Sequence, residues 1–548
     1  MTLKTKTFHR ENRFASQQVL KPFQEGSKML SPSHVIQRLY KRLASLLSAI
    51  SIAGLITSTT STLAGQPNIL LILADDLGYG DVSCYNDQSK VLTPHIDQLA
   101  KQGLRFTDAH SPSTVCTPTR YSIMTGRMAF RNGTPGVFTG VGGPCLIEES
   151  RLTLPGMLNR QGYKTALIGK WHIGMTFFDS AGVPIHQNGL EAVKKVDYSQ
   201  SISDGPIHRG FEHFFGTVCC PTTDWLYAFV HGDRIPIPPT HIVDRGPLPK
   251  HPYSRDNRPG IIAPDFDLEE VDMLFLKKSV AFLEEHVAKR PDQPFFLFHS
   301  TQAVHLPSFP GKDFKGKTKV GPHGDFIHEL DYLVGELIQT LDRLQLAEDT
   351  LVILTSDNGP ETITTINMRR DHQHDGARPW RGMKRDNWEG GHRVPLIVRW
   401  PGNIKPNTIT DSTVCLTDIM ATCAEITDYS LPNEAAEDSL SFKELFDSPK
   451  KPIRDYTLHQ TIKLELAIRR GPWKYLDHQG SGGNNYNREH LKPFILPEKL
   501  PDAPGQLYHL GQDPGERNNL YNQHPKIVRE FQDKLAEYRK TGRSVPSR

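Results

Sequence analysis

Four short apolar runs constrain this chain most, because each ends in residues that carry charge or metal-ligating atoms. Residues 68–74, N-I-L-L-I-L-A, run directly into Asp75-Asp76. Residues 165–169, T-A-L-I-G, run into Lys170-Trp171-His172, and residues 295–299, F-F-L-F-H, lead on to His305. Residues 350–355, T-L-V-I-L-T, run into Ser356-Asp357-Asn358-Gly359. Unbroken rather than alternating apolar character marks a strand buried on both faces, as in a parallel sheet. Helical patterns over residues 268–287 and 327–344 lie between these runs. Strands alternating with helices predict an α/β fold, a large mostly parallel sheet with helices on both faces. Ligands of such sheets sit at the carboxyl ends of the strands. Adjacent acids at the end of a buried strand are costly unless a cation or hydrogen bonds compensate them. Taken alone, Asp75-Asp76 reads as a solvated turn.

A second feature is the stretch S-P-S-T-V-C-T-P-T-R-Y-S-I-M-T-G-R at residues 111–127. It lacks strand alternation, and residues 120–127 fit a short helix. A helix starting just after Cys116 aims its N-terminal N–H groups and dipole at that side chain, an arrangement suited to an anion. Taken alone, Cys116 reads equally as an ordinary buried or disulfide-bonded cysteine.

Together these segments resemble the type I sulfatases of the alkaline phosphatase superfamily. Cys116-Thr117-Pro118-Thr119-Arg120 followed by Thr125-Gly126-Arg127 matches their maturation signature, with Thr119 where serine is frequent. Lys170 and His172 stand in G-K-W-H-x-G, His305 stands before Pro307, and Lys384 stands in W-R-G-M-K-R-D-N-W-E-G-G-H-R-V-P. The resemblance runs from about Asn68 to the C-terminal helix. It implies that a formylglycine-generating enzyme converts Cys116 to formylglycine (3-oxoalanine), whose hydrate attacks sulfur. It implies metal ligation by Asp75, Asp76, Asp357, Asn358 and modified Cys116. These donors are hard oxygens, which suit Ca²⁺, with Mg²⁺ as the alternative. Arg120 and Lys170 are then expected to hold the nucleophile and oxyanions, and Lys384 the sulfate oxygens. His305 is expected to protonate the leaving alcohol, and His172 to act as the base in release. The family also has a small C-terminal subdomain, an antiparallel sheet with a helix. Here a hairpin over residues 464–476, a strand over 506–510 and a helix over 525–540 fit that pattern.

The chain of 548 residues divides on this reading into a leader at 1–65, a catalytic domain at 66–430 and a subdomain at 431–548. Arg38, Lys41 and Arg42 precede a weakly apolar run at 43–56, with Thr62-Leu63-Ala64 as a cleavage site. This is the layout of a secretory signal peptide, so the protein is expected to be exported, periplasmic or secreted. No membrane span is expected once the signal is removed, and a net charge of +3 without a basic run argues against nucleic acid as a partner. The seven cysteines suggest no disulfide framework.

The expected substrate is a sulfated small molecule or glycan, with a carbohydrate sulfate ranked ahead of an aryl sulfate. The alternatives are a formylglycine-dependent phosphonate monoester or phosphodiester hydrolase and a non-catalytic sugar-binding protein on the same fold. Residues 175–265 and 361–379 read as irregular insertions beside the site. In the second, His372, His374 and Arg378 read equally as contacts for further anionic groups or as a solvated loop. Asp224 and Trp225 are candidate sugar contacts.

Overall fold

The structure, a computed structural model, describes residues 65–495, 500 and 502–548. The leader read at residues 1–65 lies, but for its last residue, outside the described residues. A nine-stranded sheet forms the centre. Its strands are β1 (Asn68–Ala74), β2 (Leu104–Phe106), β3 (Lys164–Lys170), β4 (His213–Thr217) and β5 (Val230–His231). They continue with β6 (Phe295–Ser300), β7 (Thr350–Ser356), β8 (Leu396–Arg399) and β9 (Thr408–Thr410). Their spatial order is β9-β2-β8-β7-β1-β6-β3-β4-β5.

The four apolar runs of the sequence are the four consecutive strands β7, β1, β6 and β3, all parallel. Every residue of β1, β6 and β7 is buried, which accounts for their unbroken apolar character. Antiparallel pairing enters only toward the edges, where β8 pairs with β7 and β2, and β5 with β4. Helices α1 (Pro94–Gln102) and α3 (Val271–Lys289) each pack on α4 (Gly321–Arg343), and α2 (Cys116–Thr125) packs on α6 (Asp418–Ile426). Because the four central strands run the same way, their carboxyl ends share one edge of the sheet.

A second sheet, antiparallel, joins β10 (Thr457–Gln460), β11 (Leu466–Arg470), β12 (Trp473–Leu476) and β13 (Gln506–His509). Helix α7 (Pro525–Thr541) lays Val528, Phe531 and Leu535 on its Leu458, Ile468 and Tyr475. Phe442, Leu445 and Phe446 belong to the main core, so the change from one core to the other falls between Phe446 and Thr457.

The two sheets are tied by a buried ion cluster. Lys474 on β12 places its Nζ 3.0 Å from Glu389 Oε1 and 2.9 Å from Glu516 Oε1, all three side chains fully buried. The same ammonium lies 3.0 Å from His392 Nε2. Lys474→Met should therefore destabilise the protein by about 3–5 kcal/mol, because two buried carboxylates lose their shared cation. A lower urea midpoint checks this. Lys492→Met, which removes a half-exposed pair with Glu489, should leave the midpoint in place.

Candidate active site

The shared carboxyl edge gathers the predicted residues. β1 delivers Asp75 and Asp76, β7 delivers Asp357 and Asn358, and β3 ends on Lys170 with His172 two residues beyond. His305 follows β6 on a loop fixed from below. Buried Asp272 on α3 accepts the N–H groups of Gln302 and Ala303, each at 2.8 Å. Asp76 and His172 adopt left-handed φ values of 64° and 62°. Such non-glycine conformations cost of order 1–3 kcal/mol and survive only where neighbours over-determine them. Asp76 is held by its N–H to Asp357 Oδ1, 3.2 Å.

Helix α2 begins at Cys116, and all ten of its residues are buried. Cys116 lies in the first turn, facing the helix N-terminal dipole. Arg120, four residues on, shares its face. Its Nε donates to Asp357 Oδ2 at 2.9 Å, and its Nη1 donates to the Lys170 carbonyl at 3.1 Å and to Ser300 Oγ at 2.6 Å. One guanidinium thus ties α2 to the ends of β3, β6 and β7.

The charges are arranged in opposition. Lys170 Nζ pairs with Asp75 Oδ2. Lys384 Nζ lies 2.6 Å from Asp76 Oδ1 and 3.6 Å from Glu361 Oε2. Burial works to raise the Asp75 pKa, but Lys170, His305 and Arg120 outweigh it and hold the group below the usual range. Asp357 goes the other way, raised well above the ordinary value by burial and then by Asp75. Asn358 Nδ2 donates to Asp76 Oδ1 at 2.7 Å.

These residues fit a hard cation. Asp75, Cys116 and Asp357 each offer a ligand atom within 4.8 Å of the others. Asp75 Oδ1 and Asn358 Oδ1 are buried and lack any hydrogen-bond partner. Orphaned buried oxygens among crowded carboxylates match a hard cation such as Ca²⁺ or Mg²⁺, and Cys220 and His305 also bring ligand atoms within 4.8 Å of Asp75.

Above the charges lies a narrow cavity of about 100 Å³ lined by Cys116, His172, Cys220, His305 and Lys384. His172 Nε2 lies 2.8 Å from the Phe138 carbonyl, and His305 Nδ1 meets the Leu306 carbonyl. Only a protonated nitrogen pairs with a carbonyl, so His172 turns Nδ1, and His305 turns Nε2, toward the cavity. Burial lowers the His172 pKa and favours its neutral ring.

Three cavity residues escaped the sequence reading. Cys220 Sγ stands 3.8 Å from His305 Nε2 and 4.0 Å from His172 Nδ1. Its signal was its place just past β4, another central strand end. Glu361 receives Arg385 through two bonds of 2.7 and 3.0 Å, and burial against these stronger cationic partners leaves its pKa at about 2. All seven cysteines are free.

Two readings are corrected. Residues 361–379 are not an irregular insertion throughout, since Thr362–His372 is helix α5, capped by Glu361 accepting from the Thr362 N–H. His374 is no glycan contact. It is buried, with Nε2 2.7 Å from Asp81 Oδ1 and Nδ1 accepting from Lys90 N–H at 3.1 Å. Asp224 does line the cavity; its Oδ2 has no partner, and burial pushes its pKa up to about 7. Gly390 and Gly391 serve close approach of the backbone. A Cβ on either would come within 2.4 or 1.9 Å of the carbonyl oxygens of Gly382 and Asp386. No helix among the described residues is long and apolar enough to cross a membrane.

The sequence model of the family described as Sulfatase matches residues 67–429. An N-acetylgalactosamine-6-O-sulfatase of Bacteroides thetaiotaomicron is 32% identical over 498 residues, 86% of this chain and 92% of that protein. Human arylsulfatase A is 34% identical, covering 87% of this chain and 86% of the relative. A solved structure from work on the metabolism of multiple glycosaminoglycans by Bacteroides thetaiotaomicron superposes with a TM-score of 0.71 at 29% identity. It covers 87% of this chain and 99% of its own. The chain belongs to the sulfatase family, enzymes of the alkaline phosphatase-like fold that hydrolyse sulfuric esters.

Proposed function

We propose that this protein hydrolyses sulfate monoesters of carbohydrates, with Cys116 matured to formylglycine and a Ca²⁺ ion held by Asp75, Asp76, Asp357 and Asn358. The observation that carries this reading is the convergence of Cys116, Lys384 and two oppositely oriented histidines on one narrow cavity above crowded carboxylates, with Lys170 paired to Asp75 beneath it. The name of the Bacteroides relative, an N-acetylgalactosamine-6-O-sulfatase, supports a sugar as the alcohol.

The cation and the formylglycine side chain supply the nucleophile. The chain's own residues do the rest. Arg120, anchored on Asp357 and Ser300, fixes the helix turn that carries residue 116. Lys170 and Lys384 flank the site from opposite carboxylates and offer ammonium groups to the sulfate oxygens, where charge builds during transfer. His305 presents Nε2 to the cavity while Nδ1 stays engaged with Leu306. In its imidazolium form that nitrogen delivers a proton to the departing alcohol. His172 presents a bare Nδ1 beside residue 116, the place for a base that accepts a proton during product release. Asp224, with an unpartnered oxygen in the wall, is placed to accept a sugar hydroxyl.

Mass analysis of the peptide containing Cys116, from active protein made with a maturation enzyme, should show formylglycine. Only unmodified thiol in active material would overturn the mechanism. Cys116→Ser should keep the fold and lose turnover.

Calcium added to chelator-treated protein should raise the thermal midpoint, by about 2.7 kcal/mol of stabilisation at a hundredfold excess over Kd. Asp357→Ala should abolish that rise, and stoichiometric zinc in the purified protein would contradict the assignment.

His305→Ala should slow a carbohydrate sulfate by a larger factor than a nitrophenyl sulfate, because a sugar alkoxide needs its proton delivered and a nitrophenolate does not. General acid help is worth about 10²–10⁴-fold, which sets the expected gap. His172→Ala should slow both substrates alike. Equal losses in His305→Ala would remove His305 as the acid.

A further inference from the structure

The five-residue segment 381–385 serves two cavities. Lys384 and Arg385 line the catalytic cavity, whereas Arg381, Gly382 and Met383 line a second pocket of about 430 Å³. That volume lies within the ~300–1,000 Å³ range of small-molecule sites. Four guanidinium groups enter it, from Arg369, Arg378, Arg381 and Arg517, against one carboxylate, Asp375. Asp375 is already paired with Arg369 at 2.9 Å. Among the described residues, neither Arg378 nor Arg517 forms an ion pair.

The walls hold two of these groups in place. Arg381 lies over the Trp388 ring, 3.5 Å from its centre, and bonds the Glu516 carbonyl. Arg369 lies over Phe494 at 5.8 Å. A guanidinium stacked on a ring keeps its N–H edge free for an oxyanion, which it binds with two parallel hydrogen bonds. Trp380, in the same wall, has a buried indole N–H without a partner. The pocket is thus rich in donors, poor in acceptors and strongly cationic, so its ligand is an anion with several oxygens.

We propose that this pocket is an anion subsite for a second sulfate or carboxylate group on the same glycan whose sulfate ester enters the catalytic cavity. The preferred substrate is then a polyanionic chain rather than an isolated sugar. The inference rests on the carbohydrate sulfatase reading. It follows from the shared segment, which spans at most ~17 Å even if fully extended, a distance that a short oligosaccharide covers.

The test compares the parent with the double variant Arg378→Glu/Arg517→Glu, both exposed positions. A control variant, Lys405→Glu/Lys450→Glu, changes net charge equally at exposed positions outside the pocket. Binding is measured on immobilised chondroitin 6-sulfate and hyaluronan, and turnover on chondroitin 6-sulfate and on N-acetylgalactosamine 6-sulfate. Against the control, the arginine variant should bind chondroitin 6-sulfate at least about tenfold more weakly, the value of one charge-assisted hydrogen bond. KM on that polymer should rise by the same factor at unchanged kcat, with the monosaccharide unaffected. An equal loss on hyaluronan assigns the pocket to carboxylates, and a loss confined to the sulfated polymer assigns it to sulfate. Binding of both polymers equal to that of the control, or a monosaccharide KM shifted as far as the polymer's, would overturn the proposal. If no sulfate ester is turned over at all, the sulfatase reading fails while the binding comparison still decides the pocket.

Discussion

Everything at this site depends on three buried carboxylates, Asp75, Asp76 and Asp357, brought together at the ends of neighbouring strands. Two like charges about 4 Å apart repel by roughly 4 kcal/mol at an effective dielectric of 20, and burial adds to that penalty. The chain answers with one cation for each acid, Lys170 for Asp75, Lys384 for Asp76 and Arg120 for Asp357. The pairing explains why Asp75 stays ionised although fully buried; at Asp357, burial and then the Asp75 charge outweigh Arg120 and push the group toward its neutral form. It also explains the positions of the cations. They come from β3, from α2 and from the segment before the short helix at Glu389–His392, three parts of the chain that only the closed sheet brings together.

The central strands were legible because full burial leaves a direct trace, an unbroken apolar run with a polar stop. The face shared by Cys116 and Arg120 was legible for a similar reason, since helical spacing alone sets it. Cys220 was not, because its signal, a place just past β4, shows only once that five-residue strand is recognised. Glu361 and Arg385 lie 24 positions apart, and their bidentate contact exists only once α5 has formed. That helix was itself hidden. Its sequence T-I-T-T-I-N-M-R-R-D-H is rich in β-branched residues, which disfavour helix, and tertiary packing with a glutamate cap overrides the preference. β8 was missed because a four-residue strand lying between Pro395 and Pro401 carries too little periodicity to register. In the E-G-G segment the glycines were legible and their reason was not, since the crowding comes from carbonyls elsewhere in the chain.

The complete burial of α2 bears on the life history of the molecule. Cys116 is 2% exposed, and the arginine one turn along is fixed to the ends of three strands. On the maturation proposed above, an enzyme would have to reach this side chain before the sheet closes, because the folded protein exposes almost none of it. Chemistry at residue 116 and closure of the sheet would then be competitors in time. A chain that folds first would be sealed in its unmodified state, and the matured fraction would be set kinetically, during synthesis, rather than by the stability of the finished fold.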